Sequence, residues 1–317
     1  MKTDVHQHLW TEPLVHALAA RSEMPFVRRE NGLTVLYLTG ERPYVIDIAG
    51  EAPEERAALV ERDGIERALV CLSSPLGIEW LPRAQAQSLI DAYHEGALAL
   101  GDPFGVWAAV ALERPDPDDV DRALARGCVG LSLPAGALAS VEAIADVGPL
   151  LERLELHDAP LLVHPGSQPL DALLRGGAHS SLGEPLWWPA LTGYVAGMQA
   201  AWLAFLAAGR ARHPRLRVVF AMLAGLAPLQ AERLTARGGP RLSAAADPLT
   251  FYETSSYGPA AVSLLEDVVG HEQLLYGSDR PVVDPAELGM PGGLRWEAVL
   301  DCSRRVFGGS ATRAVAL

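Results

Sequence analysis

Pro160-Leu161-Leu162-Val163-His164-Pro165-Gly166 sets the reading of the whole chain. The run up to Val163 is apolar without polar alternation. That is the pattern of a parallel strand covered on both faces rather than of a strand with one wet face. It ends on a histidine and breaks at Pro-Gly, a turn signal. In a barrel of parallel strands, the C-terminal strand ends are where chemistry is built. The neighbouring stretches Glu142–Leu156 and Val195–Arg212 read as helices, so the strand sits in a strand–helix alternation.

The same beat runs through the chain. Further strands are expected at Thr3–His8, Arg67–Leu72, Gly105–Ala111, Val129–Leu133, Leu216–Ala221, Thr250–Thr254 and Gln273–Gly277. Between them, helices are expected at Glu54–Arg62, Arg83–Leu100, Asp118–Arg126, Pro228–Arg237 and Ala260–Val269; the first and third follow prolines, a favoured start. Eight strands alternating with helices predict a single (β/α)8 TIM barrel over residues 1–317, with a doubly wound open sheet as the alternative. Residues 22–50 break the beat. Leu33–Thr39 and Tyr44–Ile48, with turns at Asn31-Gly32 and Gly40-Glu41, read as a β-hairpin inserted after strand one, on the face that carries barrel sites.

Composition narrows the function. Hydrophobic residues make up 49% and charged residues 21% of the chain, which supports a large core. The net charge of −13 disfavours nucleic acid or an anionic membrane as a partner held by bulk charge. A small-molecule substrate is expected instead. Cys71, Cys128 and Cys302 are far apart and odd in number. They read as small core residues in a reducing, cytoplasmic setting, not as a disulfide framework. No N-terminal basic and apolar segment reads as a signal peptide. The apolar stretch Val195–Ala208, interrupted by Gln199, is shorter than the roughly 20 residues of a membrane span and is expected to be a buried helix.

His6 and His8 lie two apart on the first strand, so both imidazoles point to one side. Such a pair arises easily by chance, and hydrogen-bonded core histidines are the alternative. Context comes from His164, ending strand five, and from Asp279, ending strand eight in Leu274-Leu275-Tyr276-Gly277-Ser278-Asp279. Strand ends one, five and eight meet on one rim of a barrel. Three imidazoles and a carboxylate suit one divalent ion such as zinc, with a position left for water or substrate. His157, His213 and His271 precede strands and are expected to be structural. His16, His94 and His179 have no context for a ligand role.

With these motifs in view, the chain resembles the amidohydrolase family that includes aminocarboxymuconate-semialdehyde decarboxylase, γ-resorcylate decarboxylase and lactone hydrolases. The resemblance spans nearly the whole chain. It rests on Asp4-Val5-His6-Gln7-His8-Leu9-Trp10, Val163-His164-Pro165-Gly166, the stretch Trp202 to Phe220, and Gly277-Ser278-Asp279-Arg280-Pro281. It implies that His6, His8, His164 and Asp279 are metal ligands. It also implies a histidine after strand six, where this chain has Met222. A thioether cannot shuttle protons, so Met222 is expected to face the site as an apolar wall without ligating.

Position at strand ends adds Trp10, Ser73, Ser74, Gln168, Glu253 and Arg280 as pocket candidates. Of these Arg280 could hold a substrate carboxylate, a salt-bridge role being its alternative. Trp187-Trp188 and Tyr194 read either as a pocket wall or as the interface of a homodimer. The leading expectation is a metal-dependent hydrolase of a small lactone, ester or amide, with Asp279 as the base. A non-oxidative decarboxylase is the first alternative. A barrel that has lost its reaction, suggested by Met222, is the second.

Overall fold

The computed structural model describes residues 2–39, 41–166, 188–239, 241, 247–283 and 306. All eight expected strands form, as β1 (Thr3–Gln7), β5 (Arg67–Val70), β6 (Phe104–Ala108), β7 (Gly130–Pro134), β8 (Leu161–His164), β9 (Val218–Phe220), β10 (Thr250–Glu253) and β11 (Leu274–Leu275). They pair in parallel in that order. The sheet closes on itself between its last and first strands. Val5 N donates to Tyr276 O at 2.9 Å, Asp279 N to His6 O at 2.9 Å, and Gln7 bridges Arg280 in parallel. The barrel is therefore closed, and the open-sheet alternative falls.

Most strands are shorter than the apolar runs that predicted them. Hydrophobicity continues past the last ladder bond because the loops above the strands are buried as well: Ala109, Val110 and Ala111 lie beyond β6 and remain inside. His94 explains how β6 ends. Its buried Nε2 accepts the Ala109 N–H at 3.1 Å, and burial pulls its pKa down to about 4, so it stays a neutral acceptor.

Helices α2 (Pro53–Arg62), α3 (Arg83–Leu98), α4 (Pro117–Ala125) and α5 (Val141–Leu156) fall close to the expected bounds. Their starts are locally encoded. Asp116 caps α4 by accepting the Asp118 N–H, and Ser140 caps α5 by accepting the Ala143 N–H. Helix α6 (Gly193–Ala204) runs into a wider π turn, Phe205–Gly209, and a last turn at Arg210–Arg212. Its Met198, Ala201, Trp202 and Phe205 are fully buried, and the Trp202 indole donates to the Tyr252 hydroxyl at 3.0 Å. Each such large apolar side chain contributes about 1.5–3 kcal/mol on burial. The helical run Trp188–Arg212 is 25 residues long, and an 18-residue window within it has mean hydropathy 1.3. It thus reaches the length of a membrane span, contrary to the expectation from Val195–Ala208 alone. Helices α7 (Ala231–Ala236) and α8 (Pro259–Val269) precede and follow β10.

The insertion after β1 is larger than a hairpin. It holds helix α1 (Glu12–Ala19) and a three-stranded antiparallel sheet of β2 (Phe26–Glu30), β3 (Leu33–Tyr37) and β4 (Tyr44–Ile46). Asn31 and Gly32 both have positive φ, the turn that a two-residue hairpin loop requires. The strand on the near side of that turn was missed because Phe-Val-Arg-Arg-Glu has too little alternation. Helix α1 was missed because only Leu14 and Leu18 mark its buried face.

Candidate metal centre

His6 in β1 and His8 just past its end project to the same side, as their spacing requires, and His164 meets them from β8. Their Nε2 atoms are 3.3 Å (His6–His8), 2.9 Å (His6–His164) and 3.2 Å (His8–His164) apart. All three are essentially buried. Asp279 Oδ1 lies 3.1 Å from His8 Nε2 and 3.4 Å from His6 Nε2. Its φ of 57° is left-handed, which turns its carboxylate inward just past the last strand. The structure therefore brings together all four residues that the sequence singled out as a group.

The remaining ring nitrogens fix what the cluster can do. His6 Nδ1 donates to Glu253 Oε2 at 2.9 Å, His8 Nδ1 to Cys71 O at 3.0 Å, and His164 Nδ1 to Pro165 O. With the proton held at Nδ1, each Nε2 presents a lone pair, and three lone pairs converge on one point. Without a positive charge between them they repel. Nitrogens bound about 2.0–2.1 Å from one ion at tetrahedral angles lie roughly 3.3–3.4 Å apart. The donor set fits a divalent ion on both geometry and charge.

Charge around the imidazoles points the same way. Burial lowers the pKa of His6 and His8, yet the negative groups beside them, Cys71 and Asp279 for both and Glu253 for His6, outweigh it. His8 is held up at about 10 and His6 well above its usual value. Burial and the other two imidazoles push His164 well below the ordinary range. The pocket thus attracts positive charge while one imidazole stays neutral, the condition in which an ion displaces protons.

Glu253, at the end of β10, organises the back of the centre. Besides His6 Nδ1 it accepts Ser255 Oγ at 2.8 Å, Met222 N at 3.3 Å and Ser255 N. Gly277 makes room for it: a Cβ there would stand 2.1 Å from Glu253 Oε1. The sequence named Glu253 only by its strand-end position. Its role as the carboxylate behind a ligating histidine is set by β10 lying next to β11, which no local motif records.

A second buried network steadies β1. Asp4 accepts from Gln7 Nε2 at 2.8 Å and from the N–H groups of His6 and Ser278 at 3.1 Å each. Gln7 Oε1 accepts from Arg56 Nη2, and Arg56 Nη1 pairs with Glu51, both at 2.8 Å. Arg56 is only 2% exposed. Nothing in its helical context distinguished it from a surface arginine.

The pocket candidates divide. Trp10 is buried, its ring 6.3 Å from that of Tyr44 on β4, and its Nε1 has no acceptor among the described residues. Arg280 pairs with Asp63 at 2.7 Å, so the salt-bridge alternative is the one its geometry carries. Ser74 Oγ donates to the buried Glu79 at 2.8 Å. Gln168, His179, Trp187 and Cys302 lie outside the described residues. His157, His213 and His271 lie beside Asp121, Glu155 and Glu266, at 2.8, 3.5 and 3.1 Å, away from the centre. Cys71 corrects the view that all the cysteines are plain core residues. Its sulfur lies with donor atoms of His6, His8 and His164 in a set all within 4.8 Å of one another.

Met222 begins an unusual segment. Met222, Leu223, Ala224, Gly225 and Leu226 all have φ between 48° and 61°, one left-handed helical turn with a single glycine. Each non-glycine residue there costs about 1–2 kcal/mol. Met222 is buried but stays out of the continuous apolar core. Its backbone N–H, not its side chain, is what the structure ties to the centre, through Glu253.

Eight parallel strands with this rim of donors can be compared with solved structures. IDCase from Metarhizium anisopliae, in its apo form, matches with TM-score 0.75 at 16% identity, over 97% of each chain. The chain has an amidohydrolase-type barrel fold. The 5-carboxyvanillate decarboxylase from Sphingomonas paucimobilis matches with TM-score 0.69 at 19% identity, over 96% of this chain and 98% of that one. That from Novosphingobium aromaticivorans, complexed with manganese and 4-hydroxy-3-methoxy-5-nitrobenzoic acid, matches with TM-score 0.68 at 15% identity, over 97% and 96%. Amidohydrolases are among the matches too. No family model matches the sequence, and no curated protein does. At such identities the likeness is one of amidohydrolase-type architecture.

Proposed function

We propose that the chain is a metal-dependent enzyme that decarboxylates a small carboxylic acid without net oxidation. The observation that carries this reading is the convergence of three Nε2 lone pairs beside the Asp279 carboxylate at the barrel mouth. His6, His8 and His164, with Asp279 alongside, would hold the ion. Bound there, a divalent ion supplies a fixed positive charge for the substrate carboxylate and the electron density next to it. Asp279 is the most accessible of the four, its side chain 13% exposed, and it handles the proton. As the bond to the departing carboxylate breaks, its electron pair stays on carbon; Asp279, having first taken a proton from solvent, delivers it to that carbon and returns to its carboxylate form. Trp10 offers its indole N–H to an oxygen of the substrate. Glu253 and the Cys71 carbonyl keep His6 and His8 in register throughout.

Two further points support decarboxylation over the hydrolysis first expected. The matched structures include several decarboxylases. Decarboxylation also needs one proton delivered to carbon and no activated water, which suits a rim with Met222 in place of a histidine. Hydrolysis of a lactone, ester or amide stays the second reading, because a single carboxylate beside an ion can take a proton from water and pass it to a leaving group.

The test is direct. Protein reconstituted with zinc or manganese is offered hydroxylated aromatic acids, 5-carboxyvanillate first, and simple lactones and esters, with carbon dioxide and ring opening followed together. Carbon dioxide release that Asp279→Asn lowers by about 10²–10⁴ supports the proposal. Ring opening alone selects hydrolysis. Ion binding with no turnover of either class supports a barrel that has lost its reaction.

A further inference from the structure

Cys71 directly follows β5, next to β1 in the barrel, and its N–H donates to Gln7 O at 2.8 Å. Its carbonyl already holds His8 Nδ1, so the side chain is not needed for that contact. The sulfur nonetheless lies inside, 2% exposed, 3.6 Å from His8 Nδ1. It belongs to the group of four donor atoms, with His6, His8 and His164, all within 4.8 Å of one another. At tetrahedral angles a nitrogen about 2.0–2.1 Å and a sulfur about 2.3 Å from one ion lie roughly 3.6 Å apart, so donors at the outer limit of this set draw in by roughly 1 Å on ion binding. Cys128 offers the contrast: it is also buried, but it belongs to no such group among the described residues.

We propose that Cys71 gives its thiolate to the ion held by His6, His8 and His164, making the centre sulfur-bearing and selective for thiophilic ions. This rests on the metal-site reading above. The proton that Cys71 shares with its neighbouring imidazoles leaves to solvent as the ion binds, and the sulfur lone pair completes the bond. Soft sulfur favours zinc, cobalt or cadmium over manganese, which prefers oxygen donors. The site therefore takes zinc in preference to manganese, although a 5-carboxyvanillate decarboxylase of the same fold is complexed with manganese.

Cobalt(II) titration of the full-length, metal-free protein tests this without any substrate. The expected result is one cobalt per chain with visible ligand-field bands and a sulfur-to-cobalt charge-transfer band in the near ultraviolet. That band disappears in Cys71→Ser and persists in Cys128→Ser. In competition, the zinc-over-manganese preference should fall in Cys71→Ser by at least about tenfold, the lower end of what even outer-shell changes cost in affinity. Should Cys71→Ser fail to fold, the wild-type spectrum and a cadmium-113 resonance position still report on sulfur ligation. Cobalt bound at one per chain with no charge-transfer band overturns the assignment of Cys71 while leaving the metal site standing. No stoichiometric cobalt binding overturns the site itself, and the assignment with it.

Discussion

The rim beside β1 and the rim beside β9 are held in position by opposite means. Around β1 the ladder with β5 slips register between Asp4 and Gln7, and a buried polar chain of Asp4, Gln7, Arg56 and Glu51 stands behind the two histidines. Around β9 there are apolar side chains and a left-handed turn from Met222 to Leu226, fastened by its contacts with Glu253 and Gln199. Gly225 lies at the closest point, where a Cβ would come within 2.9 Å of the Val195 carbonyl. One side is held by buried polar groups that bond one another. The other is held by surrounding packing that overrides an unfavourable backbone. Strain of this kind persists where surrounding structure over-determines it, and it gathers at functional sites.

The largest effect is expected on the β1 side. Arg56→Ala removes one member of a buried ion pair and strands Glu51, so stability should fall by about 3–5 kcal/mol in chemical denaturation. A loss under 1 kcal/mol would mean that the polar chain does not hold that rim.

Glu79 probes the arc between these rims. Burial pushes its pKa up to about 7, and Ser74 is its partner. An elevated carboxyl pKa means the folded state favours the protonated acid. Stability is then complete below the unfolded value near 4.5 and declines as pH rises to about 7. Glu79→Gln, which mimics the protonated form, should be more stable than the wild type at pH 8 by about 3 kcal/mol and no different near pH 4. Equal melting differences at both pH values would show that Glu79 ionises freely.

Glu253 joins the two rims, since it accepts from His6 on one side and Met222 on the other. Glu253→Gln should weaken zinc binding by about 10- to 100-fold in a chelator competition, with the fold retained. Unchanged affinity would sever the link between the strained turn and the donors. The smallest effect belongs to the turn itself. Ala224→Gly relieves about 1–2 kcal/mol of left-handed strain and gives up about 0.8 kcal/mol of methyl burial. A net gain of a few tenths to about 1 kcal/mol is expected, and a clear loss would show that the turn is not strained.

The β1 rim was legible in the sequence because its information is local. The spacing of His6 and His8 on a strand, and a histidine or aspartate closing an apolar run, follow from period-two geometry alone. The eight-strand order was legible for the same reason. Cys71, Glu253 and Arg56 were not, because their roles come from which strand neighbours which. Their own neighbours in sequence look like ordinary core or surface. The left-handed turn was hidden more deeply: four of its five residues are types that rarely adopt such φ, so propensity argued against it.

The donors also straddle the seam at which the barrel closes. His6 and His8 come from the first strand and Asp279 from just past the last, and Asp279 N reaches His6 O across the join. More than 270 residues of chain separate the partners (His6 and Asp279), so this contact has a high sequence separation and forms only once the chain through Asp279 has been made. Uptake of the ion during refolding would therefore trail the appearance of helices, and its time course would count finished barrels rather than collapsed chains.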